Sequence, residues 1–97
     1  MYLYIVECSD GTLYTGVTNN LERRIQEHNA GLNEKSYTFR RRPVKLVYST
    51  YFNDYNLAFQ WEERLKKWSK PKKQALINGD FELLKTLSKK RFVRKTL

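Results

Sequence analysis

The sequence predicts a small α+β domain in which a three-stranded antiparallel sheet is flanked by helices in the order β-β-α-β-α-α. Three observations lead to this prediction. The chain has 97 residues, which suits one domain with one modest core. Two apolar, β-branched runs near the N-terminus surround an Asp-Gly turn signal. Segments with helical spacing of apolar residues lie before and after a third, alternating run.

The first two strands are "YLYIVEC" and "TLYTGVT", and the "SDG" between them favours a hairpin that turns at Asp10 and Gly11. Gly16 lies inside the second strand. A residue without a side chain weakens a strand there, so Gly16 predicts either a bulge or the close approach of another group.

The first helix is predicted over "NNLERRIQEH", with Asn19 as its N-cap and Gly31 at its end. The polar run "LNEKSYTFRRRP" follows and predicts a loop. Alternating apolar and polar residues in "VKLVYSTYF" then predict the third strand.

The longest helix is predicted over "NDYNLAFQWEERLKKWS", with Asp54 near its start. Ser69 is expected to cap a further short helix, because the Pro71 that follows is tolerated in a first turn. A last helix, "FELLKTLSKKRF", is expected to continue into a basic tail.

Cysteine content and hydropathy exclude several classes of protein. Cys8 is the only cysteine, so a disulfide framework and a cysteine-based zinc site are excluded, and a reducing cytoplasm is the expected compartment. The sequence contains no run of eighteen apolar residues, so no membrane span is predicted. The first residues also lack the basic and apolar regions of a secretory signal.

Positive charge is concentrated in the C-terminal third of the chain. The net charge is +9, but residues 1–63 contain seven Lys/Arg against eight Asp/Glu, whereas residues 64–97 contain twelve against two. Such asymmetry indicates a polyanionic partner such as nucleic acid, with a merely solvated basic surface as the alternative. The run "YTFRRRP" places aromatic residues beside basic ones, a mixture that suits backbone contact and base stacking in nucleic acid. The alternative interpretation is an exposed basic loop.

Tyr4 and Tyr14 stand ten residues apart, on strands that the predicted hairpin brings side by side. Aromatic residues also favour strands because they pack well on a pleated surface. From the residues alone, a structural role for both tyrosines stays open beside a chemical one.

Arg24 and His28 are i, i+4 neighbours on the apolar face of the first predicted helix. An arginine at the edge of a buried face needs an anion, because an unpaired buried charge is costly. Glu7, Glu62 or Glu63 could supply that anion within the chain, and a phosphate oxygen could supply it from a ligand.

Glu62 falls within the apolar stripe of the longest predicted helix. That stripe consists of Ala58, Trp61, Leu65 and Trp68. A carboxylate in such a position needs a cation, and one carboxylate with several waters suits Mg²⁺. An ion pair with Lys66 or with Arg24 is the structural alternative.

Together these residues resemble the GIY-YIG nuclease domain. Its signature is a tyrosine that ends a first strand, a Tyr-X-Gly in the paired strand, an arginine ten residues after the second tyrosine, and a glutamate on a later helix. The corresponding elements are Tyr4 in "YLY", Tyr14 in "YTG", Arg24, and Glu62 in "AFQWEERLKKWS". His28 matches a position where family members often have His or Tyr.

The resemblance covers about residues 1–77 and is closest to the small stand-alone bacterial proteins of the family. Tyr2 and Leu3 replace the Gly and Ile of the motif name, and Val17 stands where several active members have a basic residue. The expected organisation is a GIY-YIG nuclease-like domain over residues 1–80, with a C-terminal helix and basic tail over residues 81–97.

The resemblance implies hydrolysis of DNA phosphodiester bonds with little sequence specificity, in DNA repair or processing. Glu62 would hold a single Mg²⁺ or Mn²⁺, and Arg24 would bind the phosphate. Tyr14 or Tyr4 would position or deprotonate the attacking water, with His28 assisting through hydrogen bonds. The basic residues implied in backbone contacts are Arg40, Arg41, Arg42, Lys66, Lys67, Lys70, Lys72 and Lys73.

Other functions remain open at this point. One is a nucleic-acid-binding module of the same fold with weak or no catalysis. Another is a protein–protein adaptor that uses the aromatic residues near Tyr51 to Tyr55. Among substrates, structured or branched DNA and RNA are both open, as is a protein partner that supplies specificity; no membrane partner is expected.

Overall fold

The computed structural model describes residues 1–87 and confirms the predicted order of elements. The elements are β1 (Tyr2–Glu7), β2 (Leu13–Thr18), α1 (Leu21–Ala30), a short 3₁₀ helix (Phe39–Arg41), β3 (Lys45–Tyr51), α2 (Tyr55–Lys66) and α3 (Lys70–Ile77). Residues 81–87 are also helical. The predicted basic tail over residues 88–97 lies outside the described residues.

The sheet is antiparallel throughout, and β1 is its central strand in the order β2-β1-β3. In the pairing of β1 with β2, Tyr4 lies opposite Gly16 and Val6 lies opposite Tyr14. Directly opposite residues share one face of a sheet. The register therefore gathers both tyrosines of the candidate motif on the same side.

One face of the sheet carries a small core that α1 covers. Its buried residues are Tyr4, Val6, Cys8 and Val44, with Tyr14, Leu21 and Ile25 packed against them. On β1 the alternate residues Leu3 and Ile5 point to the opposite face and are also buried. The second long helix, α2, packs against β2 and β1 and buries Ala58 and Leu65. The central strand is thus buried on both of its faces.

Local signals in the sequence set most of the element ends. Asp10 accepts hydrogen bonds from the backbone N–H and the hydroxyl of Thr12, at 3.1 and 2.6 Å, which closes the predicted β1–β2 turn. Asp54 and Ser69 cap α2 and α3 through their side chains. Gly31 ends α1 with a positive φ of 69°.

The prediction that Asn19 caps α1 is wrong by one residue. Asn20 is the N-cap, because its backbone is extended and its side chain accepts from the N–H of Arg23 at 3.1 Å. Thr18 decides this register by accepting a hydrogen bond from the N–H of Asn20 at 3.1 Å. Two adjacent asparagines are equivalent as N-cap candidates in the sequence, and the folded contacts distinguish them.

Hydrogen bonds at several points tie down the segment predicted as a loop. Asn29 on α1 donates to the carbonyl of Val44 at 3.0 Å and accepts from its N–H at 2.7 Å. The N–H of Ser9, in the hairpin turn, donates to the carbonyl of Arg41 at 2.9 Å. The segment between α1 and β3 is therefore anchored to the helix and to the hairpin, and it contains the short 3₁₀ helix.

Contacts divide the chain into two compact units, Met1–Lys67 and Trp68–Leu97. The first contains the sheet, α1 and α2. The described part of the second contains α3, in which Lys72 lies over the ring of Trp68 at 4.3 Å from its centroid. Among residues 1–87 no helix has the length and apolar character needed to cross a bilayer.

The burial of α2 predicts different effects for two leucines on that helix. Leu65 is 1% exposed and Leu57 is 41% exposed. We expect Leu65→Ala to lower the free energy of unfolding by about 2–5 kcal/mol, because it removes buried methyl groups and leaves a cavity. Leu57→Ala is the matched control and should cost less than about 1 kcal/mol. Urea denaturation of both variants measures the difference, and equal losses would contradict this packing.

Candidate active site

A cleft of about 410 Å³ lies beside α1 and the segment that follows it. Its walls include Tyr14 from β2, Arg24, Glu27 and His28 from α1, and Thr38 from the segment before β3. Gly31, Leu32, Asn33, Ser36 and Phe39 complete the lining. Three of the residues singled out from the sequence, Tyr14, Arg24 and His28, therefore border one cleft.

Tyr4 lies beneath this cleft as a buried phenol. Its side chain is 1% exposed, and its hydroxyl lies 2.9 Å from Nε2 of His28. The ring occupies the space above Gly16, where a Cβ would come within 2.5 Å of the hydroxyl oxygen and 2.7 Å of Cζ. Gly16 is thus explained by close approach of another group rather than by a bulge.

Burial raises the pKa of Tyr4 to about 12, and the proximity of Tyr14 adds to the rise. The guanidinium of Arg24 opposes it, while the charge of Glu62 contributes a smaller increase. At neutral pH Tyr4 is therefore a neutral phenol.

His28 uses both ring nitrogens inside the protein. Besides the contact of Nε2 with Tyr4, its Nδ1 lies 2.8 Å from the hydroxyl of Thr38, which in turn lies 3.0 Å from the hydroxyl of Ser36. Burial lowers the pKa of His28, Arg24 lowers it further, and Glu27 opposes both. The imidazole is consequently neutral at pH 7.

Tyr14 is held by rings on two sides. It stacks on Tyr37 with centroids 5.8 Å apart and planes 20° from parallel, and it meets His28 edge-on at 5.6 Å. Tyr37 is itself covered by the guanidinium of Arg41, 4.0 Å from the ring centroid. These contacts fix the plane of the Tyr14 ring at the wall of the cleft.

The anion that pairs with Arg24 is Glu27, with Nε and Oε1 3.2 Å apart. None of the three glutamates considered from the sequence, Glu7, Glu62 and Glu63, forms this ion pair within residues 1–87. Glu27 also lies 3.9 Å from Arg23, which is exposed, whereas Arg24 and Glu27 are each partly exposed. Exposed ion pairs of this kind are weak, so the Arg24 guanidinium is available to a stronger anion.

Glu62 is placed differently from the other candidates. Its side chain is 16% exposed and pairs with Lys66 at 3.6 Å, the structural alternative considered above. Glu62 does not line the cleft, although its charge reaches Tyr4. Within residues 1–87 no three His, Cys, Asp or Glu side chains come together as a metal-binding cluster.

The arginines before β3 have different environments. Arg41 pairs with Asp10 at 3.1 Å and donates to the carbonyl of Tyr37 at 2.8 Å. Arg42 donates to the carbonyl of Phe39 at 2.7 Å and covers its ring. Arg40 is exposed and has no ion pair with any residue of the described chain.

The five lysines predicted to contact DNA divide between the two units. Lys66 and Lys67 lie at the end of the first, and Lys70, Lys72 and Lys73 lie on α3 in the second. Lys66 and Lys67 are exposed, and so is Lys70.

Sequence reasoning made no prediction for Glu27 and Thr38, which contact Arg24 and His28 directly, or for Ser36, which contacts Thr38. Thr38 and His28 are ten residues apart across an irregular segment, so no periodic pattern relates them. Glu27 carried a usable signal, because it stands three residues after Arg24, a spacing that favours contact on a helix.

Comparison with known proteins gives consistent matches. The family described as "GIY-YIG catalytic domain" matches residues 1–75. A UPF0213 protein of Syntrophus aciditrophicus is 49% identical over 81 residues, covering 84% of this chain and 93% of that protein. A UPF0213 protein of Haloquadratum walsbyi is 49% identical over 75 residues, covering 77% and 83%.

A solved structure is similar as well. The solution NMR structure of a UPF0213 protein from Bacillus halodurans aligns with a TM-score of 0.52 and 40% sequence identity. The alignment covers 79% of this chain and 81% of that one.

Gly16→Ala tests the seat of the Tyr4 ring. The added Cβ would overlap the Tyr4 hydroxyl, so we expect a loss of about 1–3 kcal/mol in the free energy of unfolding. In a Tyr4→Phe background the nearest clashing atom is gone, and the same substitution should cost less. A double-mutant cycle by urea denaturation measures this coupling, and strictly additive losses would refute the close approach.

The neutral state of His28 predicts a pH dependence of stability. The pKa of His28 is lowered in the folded chain, so the unfolded chain binds more protons once the pH falls to about 6.5, the ordinary pKa of histidine. Stability from this group is present above that pH and is lost as the pH falls toward the folded pKa. We expect the free energy of unfolding to decline between pH 7 and 5.5, with a smaller decline in His28→Gln. Identical slopes in the two chains would contradict the buried, neutral imidazole.

Proposed function

The chain belongs to the GIY-YIG family of nucleases, and on that premise we propose that it is a metal-dependent DNA endonuclease that hydrolyses phosphodiester bonds with little sequence specificity. The observation that carries the proposal is the convergence of Tyr14, Arg24 and His28 on one cleft, above a buried Tyr4 that holds His28. We extend the proposal to the domain organisation expected above, with the nuclease-like domain ending near residue 80.

Arg24 would bind the scissile phosphate. Glu27 takes the Nε edge of its guanidinium, and the terminal nitrogens would donate to a non-bridging phosphate oxygen. A fixed positive charge there stabilises the negative charge that develops as water attacks phosphorus. Arg40 and the exposed lysines would hold the backbone without reading sequence.

The two tyrosines would have separate roles. Tyr14 borders the cleft and would position the attacking water or accept its proton. A phenol with a pKa of about 12 is a poor base at neutral pH, so Tyr4 would act by holding His28 rather than by deprotonating water. His28 would maintain the hydrogen bonds that connect the cleft wall to Tyr4.

Glu62 would hold the single divalent cation of the proposed reaction. The carboxylate is mostly buried, and its contact with Lys66, at 3.6 Å, is longer than a charge-assisted hydrogen bond. Mg²⁺ commonly takes one or two carboxylates and completes its coordination with waters and phosphate oxygens. When bound, Mg²⁺ or Mn²⁺ would neutralise charge on the phosphate and on the leaving oxygen.

A binding module without catalysis is the second candidate, and the Glu62–Lys66 ion pair favours it. Lys66 already supplies a cation to the carboxylate that would hold the metal. This candidate predicts DNA binding that weakens steeply with salt, survives Glu62→Ala and Arg24→Ala, and is accompanied by no cleavage.

Substitution of Glu62 tests the endonuclease proposal. In a plasmid-nicking assay with Mg²⁺ or Mn²⁺, we expect wild type to nick DNA and Glu62→Ala to lose about a hundredfold or more in rate, because the divalent cation loses its protein ligand. Glu63→Ala, an exposed neighbour on the same helix, is the control and should retain activity. Wild type that is inactive with every metal on single-stranded, double-stranded and branched DNA would refute the proposal.

Paired arginine substitutions test phosphate binding. We expect Arg24→Ala to lower the turnover rate by about 10²–10³-fold, the usual effect of removing one donor to transition-state charge. Arg23→Ala removes an adjacent charge that also pairs with Glu27 but does not line the cleft, and it should behave like wild type. Equal rates for the two variants in the nicking assay would argue against the assignment.

A further inference from the structure

Behind His28, the segment before β3 supplies a buried hydroxyl that the proposed reaction has not used. Thr38 is 1% exposed and stands directly before the 3₁₀ helix. Its Oγ1 lies between Nδ1 of His28, at 2.8 Å, and the hydroxyl of Ser36, at 3.0 Å. A polar group this deeply buried needs its hydrogen bonds satisfied, so these contacts are specific constraints on His28.

One arrangement of the protons in this chain of contacts gives the buried Tyr4 hydroxyl an acceptor for its proton. The Tyr4 hydroxyl is buried, and within residues 1–87 the only hydrogen-bond acceptor recorded for its proton is Nε2 of His28. Arg24, which faces Tyr4, has donors only. If Nε2 accepts from Tyr4, the neutral imidazole carries its proton on Nδ1.

The remaining donors then follow in order. In that arrangement the Nδ1 proton of His28 would be donated to Oγ1 of Thr38, 2.8 Å away, and the Thr38 hydroxyl would donate to Ser36, 3.0 Å away. In the opposite arrangement Nε2–H would point at Tyr4, and the Tyr4 proton would be buried without an acceptor. That cost favours the first arrangement.

We propose that Thr38 is a positioning residue that accepts the Nδ1 proton of His28, fixes the imidazole as the Nδ1–H tautomer, and thereby holds Nε2 toward the Tyr4 hydroxyl. The effect of Thr38 on cleavage rests on the proposed function, whereas the tautomer does not. Although Thr38 lines the cleft, it is 1% exposed, so its proposed effect on the reaction passes through His28.

The tautomer can be measured directly because His28 is the only histidine in the chain. With ¹⁵N-labelled histidine, a long-range ¹H–¹⁵N correlation spectrum at pH 8 reports which ring nitrogen is protonated. We expect protonation at Nδ1 in wild type. Protonation at Nε2, or a mixture of the two forms, would overturn the proposal whether or not the protein cuts DNA.

Two substitutions separate the hydroxyl of Thr38 from its shape. Thr38→Ser keeps the hydroxyl and should keep the Nδ1–H form. Thr38→Val keeps the branched shape but leaves Nδ1–H without an acceptor, and should lower the ratio of Nδ1–H to Nε2–H by about tenfold. An unchanged ratio in a folded Thr38→Val chain would overturn the proposal, and if that variant fails to fold, the wild-type and Thr38→Ser spectra still decide it.

The consequence for cleavage is tested with the same variants. We expect Thr38→Val to lower kcat in the nicking assay about tenfold without weakening DNA binding. Thr38→Ser should keep the wild-type kcat. Wild-type kcat in a Thr38→Val chain with an altered tautomer would overturn the positioning role. If wild type itself cuts no DNA, the proposed function fails, and the spectra alone judge the tautomer.

Discussion

The arrangement of this site depends on one buried hydroxyl. Tyr4 stands on the central strand, its side chain is almost completely removed from water, and its phenol must find a hydrogen-bond partner inside the protein. His28 is that partner. Because the contact links β1 to α1, it orients the imidazole beside the cleft and adds to the packing of Leu21 and Ile25 that holds the helix against the sheet.

The same constraint extends in two directions from Tyr4. Across the sheet it requires Gly16, because a side chain there would occupy the space of the phenol ring. On the other side it passes through His28 to Thr38 and into the segment that precedes β3. Most of the segment between α1 and β3 lacks regular secondary structure. Its position is set by the buried contact of Thr38 with His28 as well as by its backbone hydrogen bonds.

The contacts of Arg41 and Arg24 give these two arginines different roles. Arg41 is engaged by Asp10 and by the ring of Tyr37, so it supports the wall against which Tyr14 stacks. Within residues 1–87 Arg24 forms an ion pair with one partly exposed carboxylate, that of Glu27, and borders the cleft. Composition alone makes these residues equal contributors to a basic surface, but their contacts divide them into a structural arginine and a candidate ligand-binding one.

The sequence by itself determined the order of the elements, the hairpin, the start of α2 near Asp54 and the cap at Ser69, because each rests on local spacing and turn chemistry. Its motif residues also carried the resemblance to the family. Only the tertiary structure decided that Glu27 pairs with Arg24, that Tyr4 is buried beneath the cleft while Tyr14 borders it, and that Thr38 contacts His28. Burial and hydrogen-bond partners depend on where distant segments pack, and residues that are separated by an irregular segment have no periodicity that reveals their contact.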